Sequence, residues 1–326
     1  MNGCSDILCH LNKKAQKLDE FMDIKFIHIG CHKCGSTFLQ VEVWPKIKGI
    51  TYFPFSKNHP IFKEMEHTIR CGEIYFELEE IKKIIHEKIG HYKNLSLSHE
   101  GFSGLDPAIL GSGYQIKNVS ERIRQIFGNT KILIVIRNQK KILPSMYLDD
   151  IKYGYLMDFT KWIHWKLDIC GLNYYKYHSM IKCYIDYFGR ENVKVILFEE
   201  LFNREILLEI FEDFKIDPSG IDDIDFTIRF NEAYSLPSFY IARLINRLSG
   251  SKLTYGSIYG PSPVRMYNLW RYKCAPIVDQ LSKRLNIPSP KCDFEGYDKL
   301  LFELFHEDNK KTAALTGFDL SSYGYV

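Results

Sequence analysis

Apolar residues along this chain form short solid runs, separated by stretches where they recur every three or four positions. Three runs read as buried strands: 24–29 (IKFIHI), 131–136 (KILIVI) and 193–198 (VKVILF). A fourth, 94–98 (NLSLS), is shorter. Solid runs of this length suit strands covered on both faces. Helical spacing fills the intervals. Leu78, Ile81, Ile84, Ile85 and Ile89 predict a helix over 77–92. A helix over 119–127 ends at Gly128-Asn129, and helices fill most of 140–188 before Gly189 stops them. Phe38, Leu39, Val41, Val43 and Trp44 predict a helix over 36–45. Residues 46–76, with Pro54, Pro60 and several aromatics, read as irregular. Residues 1–23 read as a short helical or frayed lead-in. The back half is more helical, with helices expected over 239–248 and 266–285. Between them lies a Gly/Ser/Pro/Tyr loop at 249–263 (SGSKLTYGSIYGPSP), a candidate substrate-side lid. Strands alternating with helices predict an α/β fold with a central parallel sheet and helices on both faces. Ligands of such sheets bind beyond the carboxyl ends of the strands.

Three of those strand ends carry chemistry. The first strand runs into Gly30-Cys31-His32-Lys33-Cys34-Gly35-Ser36-Thr37. Two glycines, a lysine and two hydroxyls before a helix make an anion cradle from backbone N–H groups and side chains. Gly30 and Gly35 have the spacing of a Walker A loop, but that loop then needs Lys and Ser/Thr. Here Ser36 stands in the lysine's place and the lysine comes earlier, at Lys33. The displacement points to a phosphate whose carrier is not ATP or GTP. The strand 131–136 ends in Arg137, with Ser145 eight residues on. A guanidinium fork and a hydroxyl suit a second, separate phosphate. Two anion sites on two strands fit a nucleotide phosphorylated at both ends. The strand 94–98 ends in His99-Glu100, either of which is chemically able to act as a general base. Neighbours on an extended chain point to opposite sides, so one of the two is expected to reach a substrate.

The pair of anion motifs resembles the 5′-phosphosulfate loop and 3′-phosphate motif of sulfotransferases that use 3′-phosphoadenosine 5′-phosphosulfate (PAPS). The similarity to the bacterial-type family extends over about residues 24–326. Leu97-Ser98-His99-Glu100 resembles the segment carrying that family's base, which is His in some branches and Glu in others. The Ser-x-Glu-Gly pattern here is closer to the glutamate branch and favours Glu100. The segments 145–154, 187–201, Asp308-Asn309 and 318–325 resemble later pieces of the family in the same order. The resemblance implies a P-loop NTPase-like fold and sulfuryl transfer from PAPS to a hydroxyl or amine. A carbohydrate is the first acceptor class it suggests, and a small lipid or secondary metabolite the second. It also implies roles. Lys33 would meet charge growing on the bridging oxygen. Gly30, Gly35, Ser36 and Thr37 would surround the 5′-phosphate, and Arg137 and Ser145 the 3′-phosphate. Gln139 departs from the family, which often has proline after Arg-Asn. Ser36 replaces a commoner threonine.

Composition narrows the alternatives. The 326 residues suffice for one large α/β domain, and 24–326 reads as a single one. A net charge of +3 does not describe a nucleic-acid binder, although Lys33, Arg137, Lys140 and Lys141 concentrate charge at the two anion motifs. No apolar run approaches the ~18–20 residues that span a bilayer, and the first residues lack the apolar core of a signal peptide. The expectation is a cytoplasmic enzyme of undefined oligomeric state. Nine cysteines, odd in number and scattered, fit reduced thiols. Cys31-x-x-Cys34 reads as small filler within the anion loop, since no second pair completes a metal site. No metal is expected. Two other readings stand beside the transferase: a divergent P-loop kinase or NTPase, and a non-catalytic nucleotide-binding protein of the same fold. The kinase reading lacks an Asp-ended second strand to hold Mg²⁺.

Overall fold

The computed structural model describes residues 22–54, 56–104, 113, 115–230, 234–248, 268–290, 292 and 296–326. The lead-in before Met22 and the loop at 249–263 lie outside the described residues. Five parallel strands form one sheet in the order β2-β3-β1-β4-β5. They are β1 (Ile24–His28), β2 (Thr51–Tyr52), β3 (Leu95–Ser98), β4 (Lys131–Ile136) and β5 (Val193–Leu197). The four runs read as strands are all strands. β2 is the addition, a two-residue edge strand paired with β3 inside the stretch expected to be irregular.

Eleven helices lie among the described residues. They are α1 (Ser36–Phe38), α2 (Phe62–Arg70), α3 (Leu78–Ile89), α4 (Ile116–Phe127), α5 (Gln139–Lys152), α6 (Phe159–Asp168), α7 (Tyr177–Phe188), α8 (Arg204–Asp213), α9 (Leu236–Leu248), α10 (Ala275–Arg284) and α11 (Asp298–Thr316). Parallel crossovers are right-handed, so the direction of each connection sets the face it covers. Three connections run the same way, β2 to β3, β3 to β4 and β4 to β5. Their helices α3, α4 and α7 pack in succession on one face, α7 directly on β4 and β5. The connection from β1 to β2 runs the opposite way and carries α1 to the other face. There Phe26 and Trp44 meet edge to face at 4.9 Å, with Phe211 and Phe214 from the region of α8 against them. β4 is buried from Ile132 to Ile136, as a central strand covered on both sides must be.

Two expectations change in detail. The helix behind the first loop is regular only at Ser36–Phe38; it continues as a π-helical turn, Leu39–Val43, and a 3₁₀ turn, Trp44–Lys46. The β-branched Val41 and Val43 and the following Pro45 do not favour a regular α-helix there. In the back half, α11 is a 19-residue helix with no counterpart in the sequence reading. Its buried positions, Leu301, Phe305, Asn309 and Thr312, are half polar, which blurs the apolar stripe.

Candidate active site

In the order β2-β3-β1-β4-β5, the chain leaves β1 toward one edge and leaves β4 toward the other. The crevice between the carboxyl ends of these neighbours is the topological switch point, where open α/β sheets hold their ligands. The loop with Lys33 follows β1, and Arg137 follows β4. Arg137 Nη1 donates to the carbonyl of Lys33 at 2.9 Å, which ties the two motifs together.

The first loop is held in a shape that ordinary residues resist. Lys33 has φ 64° and Gly35 φ 82°, both left-handed. A Cβ on Gly35 would lie 2.3 Å from Leu201 Cδ2. A Cβ on Gly30 would lie 2.4 Å from Ser36 Oγ and 2.6 Å from His28 Nε2, so Gly30 lets the loop close over β1. The 170s region braces the loop from outside. His32 N donates to Tyr174 OH at 3.3 Å, and the same hydroxyl meets Ser103 Oγ at 2.5 Å. Cys31 and Cys34 are buried free thiols. Cys31 Sγ lies 3.8 Å from Met180 Sδ, and burial pushes the Cys34 thiol up. Both are packing residues rather than exposed ligands.

A cavity of about 780 Å³ opens over the switch point. Lys33, Gly35, Ser36, Thr37, Glu100, Arg137 and Ser145 all line it. Gly30 lies beneath the loop and is not on the cavity wall. His99 is also off the wall. Its Nδ1 accepts from Gly101 N at 2.8 Å and its Nε2 faces Glu66 Oε1 at 3.2 Å. Glu100 points the other way, beside His32 Nδ1 at 3.2 Å. Burial acts to raise the Glu100 carboxyl, but His32, the Ser36 hydroxyl and Lys33 outweigh it and bring it down to about 2. Glu100 is therefore an ionised, half-exposed carboxylate facing the lysine.

Lys33 Nζ lies 3.3 Å from Asp149 Oδ1. Asp149, Ser145 and Lys152 share one face of α5, spaced four and three residues apart, and all three line the cavity. This stripe could have been read from the sequence once Ser145 was singled out. Arg137 stacks its guanidinium over Phe198, 4.1 Å from the ring centroid, and its buried Nε has no hydrogen-bond partner among the described residues. A buried, unmatched guanidinium N–H in a cavity wall is a donor available to an anion.

Several lining residues carry no sequence signal of their own. Arg229 stacks on Phe202 at 3.9 Å, while Tyr234, Arg271, Asp279 and Lys283 arrive from the back half. Only tertiary folding brings them to the strand ends. The helix start is shorter than the sequence implied, because α1 has three residues before the π-turn; Lys33, Gly35, Ser36, Thr37 and Arg137 reach the cavity. Of the other two basic residues near the second motif, Lys140 pairs with Asp298 at 2.6 Å, and Lys141 lines a neighbouring cavity of about 500 Å³ with Glu199 and Tyr323.

No family model and no curated protein matches the chain. Solved structures similar to it include two sulfotransferases. One is the crystal structure of a sulfotransferase from Alicyclobacillus acidocaldarius, 17% identical, covering 64% of this chain and 86% of that one at a TM-score of 0.45. The other is the sulfotransferase domain from the Synechococcus PCC 7002 olefin synthase, 12% identical, covering 83% of this chain and 97% of that one at a TM-score of 0.34. No helix among the described residues is long and apolar enough to cross a membrane.

Proposed function

We propose that the chain is a PAPS-dependent sulfotransferase, with residues 24–326 acting as one catalytic domain. The observation that carries this reading is the convergence of two separate anion-binding groups, around Lys33 and Arg137, on one cavity at the switch point. A nucleotide with phosphate on both ends needs two such groups. The unmatched Nε of Arg137 and the left-handed turn of the loop at Lys33 and Gly35 fit it. When bound, PAPS would supply the sulfuryl group.

The chain's own residues divide the remaining work. The N–H groups and hydroxyls of Gly35, Ser36 and Thr37 hold the 5′-phosphate, while Arg137 and Ser145 hold the 3′-phosphate. Lys33 presents its ammonium where negative charge grows on the leaving oxygen. Asp149 keeps that ammonium turned into the cavity. Glu100 takes the proton from the acceptor hydroxyl or amine, and His32 orients the carboxylate. His99 serves instead to cap the turn Glu100–Ser103 and positions Glu100 through the backbone. The acceptor is a small molecule or glycan, with a carbohydrate hydroxyl the first choice.

Calorimetry with the product nucleotide 3′-phosphoadenosine 5′-phosphate (PAP) tests the reading. PAP should bind without Mg²⁺, and Arg137→Ala should weaken it by about 10–100-fold, the worth of a lost charge-assisted contact. Mg²⁺-dependent ATP binding with no preference for a 3′-phosphate would move the reading to a divergent kinase.

A further inference from the structure

The floor of the first loop holds two buried polar atoms without a match. His28 ends β1 and Ser36 begins α1, and both side chains are buried. His28 Nε2 and Ser36 Oγ have no hydrogen-bond partner among the described residues. Buried polar atoms in that state are few in folded proteins, and each needs a reason. These two face one another across Gly30. A Cβ on Gly30 would lie 2.6 Å from His28 Nε2 and 2.4 Å from Ser36 Oγ. The two atoms are therefore at most about 5 Å apart, a gap that one water or a turn of the serine side chain spans. The bare Cα of Gly30 leaves that gap open.

The other ring nitrogen fixes which atom donates. Gln40 Nε2 donates to Ser98 Oγ at 3.0 Å, and Ser98 Oγ lies 2.7 Å from His28 Nδ1. The Ser98 hydroxyl has no other acceptor among the described residues, so its hydrogen goes to Nδ1. Burial keeps the ring neutral near pH 7, with its imidazole held down to about 4. A neutral imidazole that accepts at Nδ1 carries its proton on Nε2. His28 thus offers an N–H toward Ser36 Oγ. A serine that accepts there keeps its own hydrogen for an anion in the cavity. The Ser36 hydroxyl already acts on one such anion, helping to hold the Glu100 carboxyl low.

We propose that His28 is a positioning residue for the 5′-phosphate. With nucleotide bound, its Nε2–H meets Ser36 Oγ, directly or through one water, and the Ser36 O–H turns to a phosphate oxygen. The chain Gln40–Ser98–His28–Ser36 then ties the ends of β1 and β3 to the ligand, and both unmatched atoms gain a partner on binding. The proposal rests on the sulfotransferase reading, which gives the 5′-phosphate to Ser36, and extends that site to a residue the ligand does not touch.

The test uses the full chain and two nucleotides, PAP and adenosine 3′-monophosphate, which lacks the 5′-phosphate. Calorimetry on the wild type, Ser36→Ala, His28→Leu and the double variant closes a thermodynamic cycle. Each single change should weaken PAP by about three- to tenfold, the usual worth of one hydrogen bond. The double variant should bind PAP within about twofold of Ser36→Ala alone, because the histidine acts through the serine. Affinity for adenosine 3′-monophosphate should stay within about twofold throughout, which also reports that the variants fold. His28→Gln, whose amide can donate from near the Nε2 position, should recover most of the PAP affinity lost in His28→Leu. Long-range ¹H–¹⁵N spectra of histidine-labelled protein should place the His28 proton on Nε2, with the signal assigned by its loss in His28→Gln. That signal should move when PAP is added to the wild type and stay still when PAP is added to Ser36→Ala. These spectra read the wild-type ring and stand even if His28→Leu does not fold. A proton on Nδ1, additive losses in the double variant, or PAP affinity unchanged by His28→Leu overturns the proposal. Equal loss of both nucleotides in His28→Leu overturns it too, by making the histidine a packing residue alone. No PAP binding by the wild type, in contrast, removes the sulfotransferase reading and the proposal with it.

Discussion

At the residue scale, two buried or half-buried groups make opposite uses of their surroundings. Glu100 is driven down to about 2 because His32, Ser36 and Lys33 outweigh its burial. A base in that state is ionised throughout the working range, so Glu100 gives no acid limb to the rate above about pH 4. Glu100→Gln should lower kcat by roughly 10²–10⁴, the usual worth of a general base. A steady-state pH profile of the wild-type chain that falls between pH 6 and 4, with the fall absent in a low-activity Glu100→Gln, would mean that Glu100 titrates in that range and is not held near 2. His28 sits under the loop with Nδ1 2.7 Å from Ser98 Oγ, and burial pushes its imidazole down to about 4, against a small raising effect from Glu100. Between pH 6.5 and 4 the unfolded chain therefore binds a proton at this position that the folded chain does not. Stability from neutral His28 is complete above pH 6.5 and is lost as pH falls toward 4, by up to about 3 kcal/mol. Urea unfolding at pH 7 and pH 5 should show this loss, and His28→Gln should flatten the difference. A slope unchanged by that variant would assign it elsewhere, with His59, also pushed to about 4 mainly by burial, the first alternative. The sequence showed Glu100 and His99 as equals in chemistry. Their separation depends on which side of the turn faces the cavity, a property of the Glu100–Ser103 turn that residue type alone does not encode.

At the element scale, strands were the readable part and caps and clamps were not. β1, β3, β4 and β5 announce themselves because a buried parallel strand is a solid apolar run. α2 and β2 stayed hidden within 46–76. β2 has two residues, and α2 buries Glu64 and Thr68 beside Met65 and Ile69, which breaks its apolar period. α11 escaped for the same reason, and its polar core position is its point of attachment. Asn309 accepts from Gln139 Nε2 at 2.9 Å and donates to the Val326 carbonyl at 2.7 Å. Gln139 also donates to the Tyr175 carbonyl at 3.2 Å. Gln139, where a proline is common in the resembling family, is thus the buried clamp joining the start of α5 to α11. The next residue back, Asn138, caps α5 through Lys140 N at 2.8 Å and donates to the Tyr323 carbonyl at 2.9 Å. The C-terminal segment therefore braces the turn that presents Arg137. Asn309→Leu would leave buried amide groups of Gln139 and the Val326 carbonyl without their partner. The expected cost is about 1–3 kcal/mol per orphaned group in urea unfolding. An unchanged midpoint would mean that water takes Asn309's place and that the clamp is ornamental to stability.

At the scale of the whole molecule, the sheet order explains why motifs more than 100 residues apart form one site. Opposed connections out of β1 and β4 open a crevice, and the loop conformation at Lys33 and Gly35 lets both motifs face it. Sequence supplied the two ends of that crevice, because glycines, Lys33 and Arg137 sit at fixed offsets from strands. It could not supply the far wall, since Arg229, Arg271 and Lys283 lie in segments whose position depends on packing among α5, α9 and α10. The arrangement has a consequence for stability. A ligand that bridges the loop after β1 and the turn after β4 binds only the folded chain, because those groups meet nowhere else. PAP at a hundredfold excess over its dissociation constant should then add about 2.7 kcal/mol of stability. AMP lacks the 3′-phosphate, so if Arg137 and Ser145 hold that group, AMP at equal concentration should raise the melting temperature much less. On the proposed reading, which gives the phosphates to Lys33, Arg137 and loop N–H groups, the PAP shift should persist in EDTA, and Arg137→Ala should bring the PAP curve down to the AMP curve. Equal shifts from AMP and PAP in the wild-type chain would mean that the turn after β4 does not read a 3′-phosphate. Arg137 would then be a brace for the Lys33 loop through its 2.9 Å hydrogen bond, and the two-phosphate site would not exist.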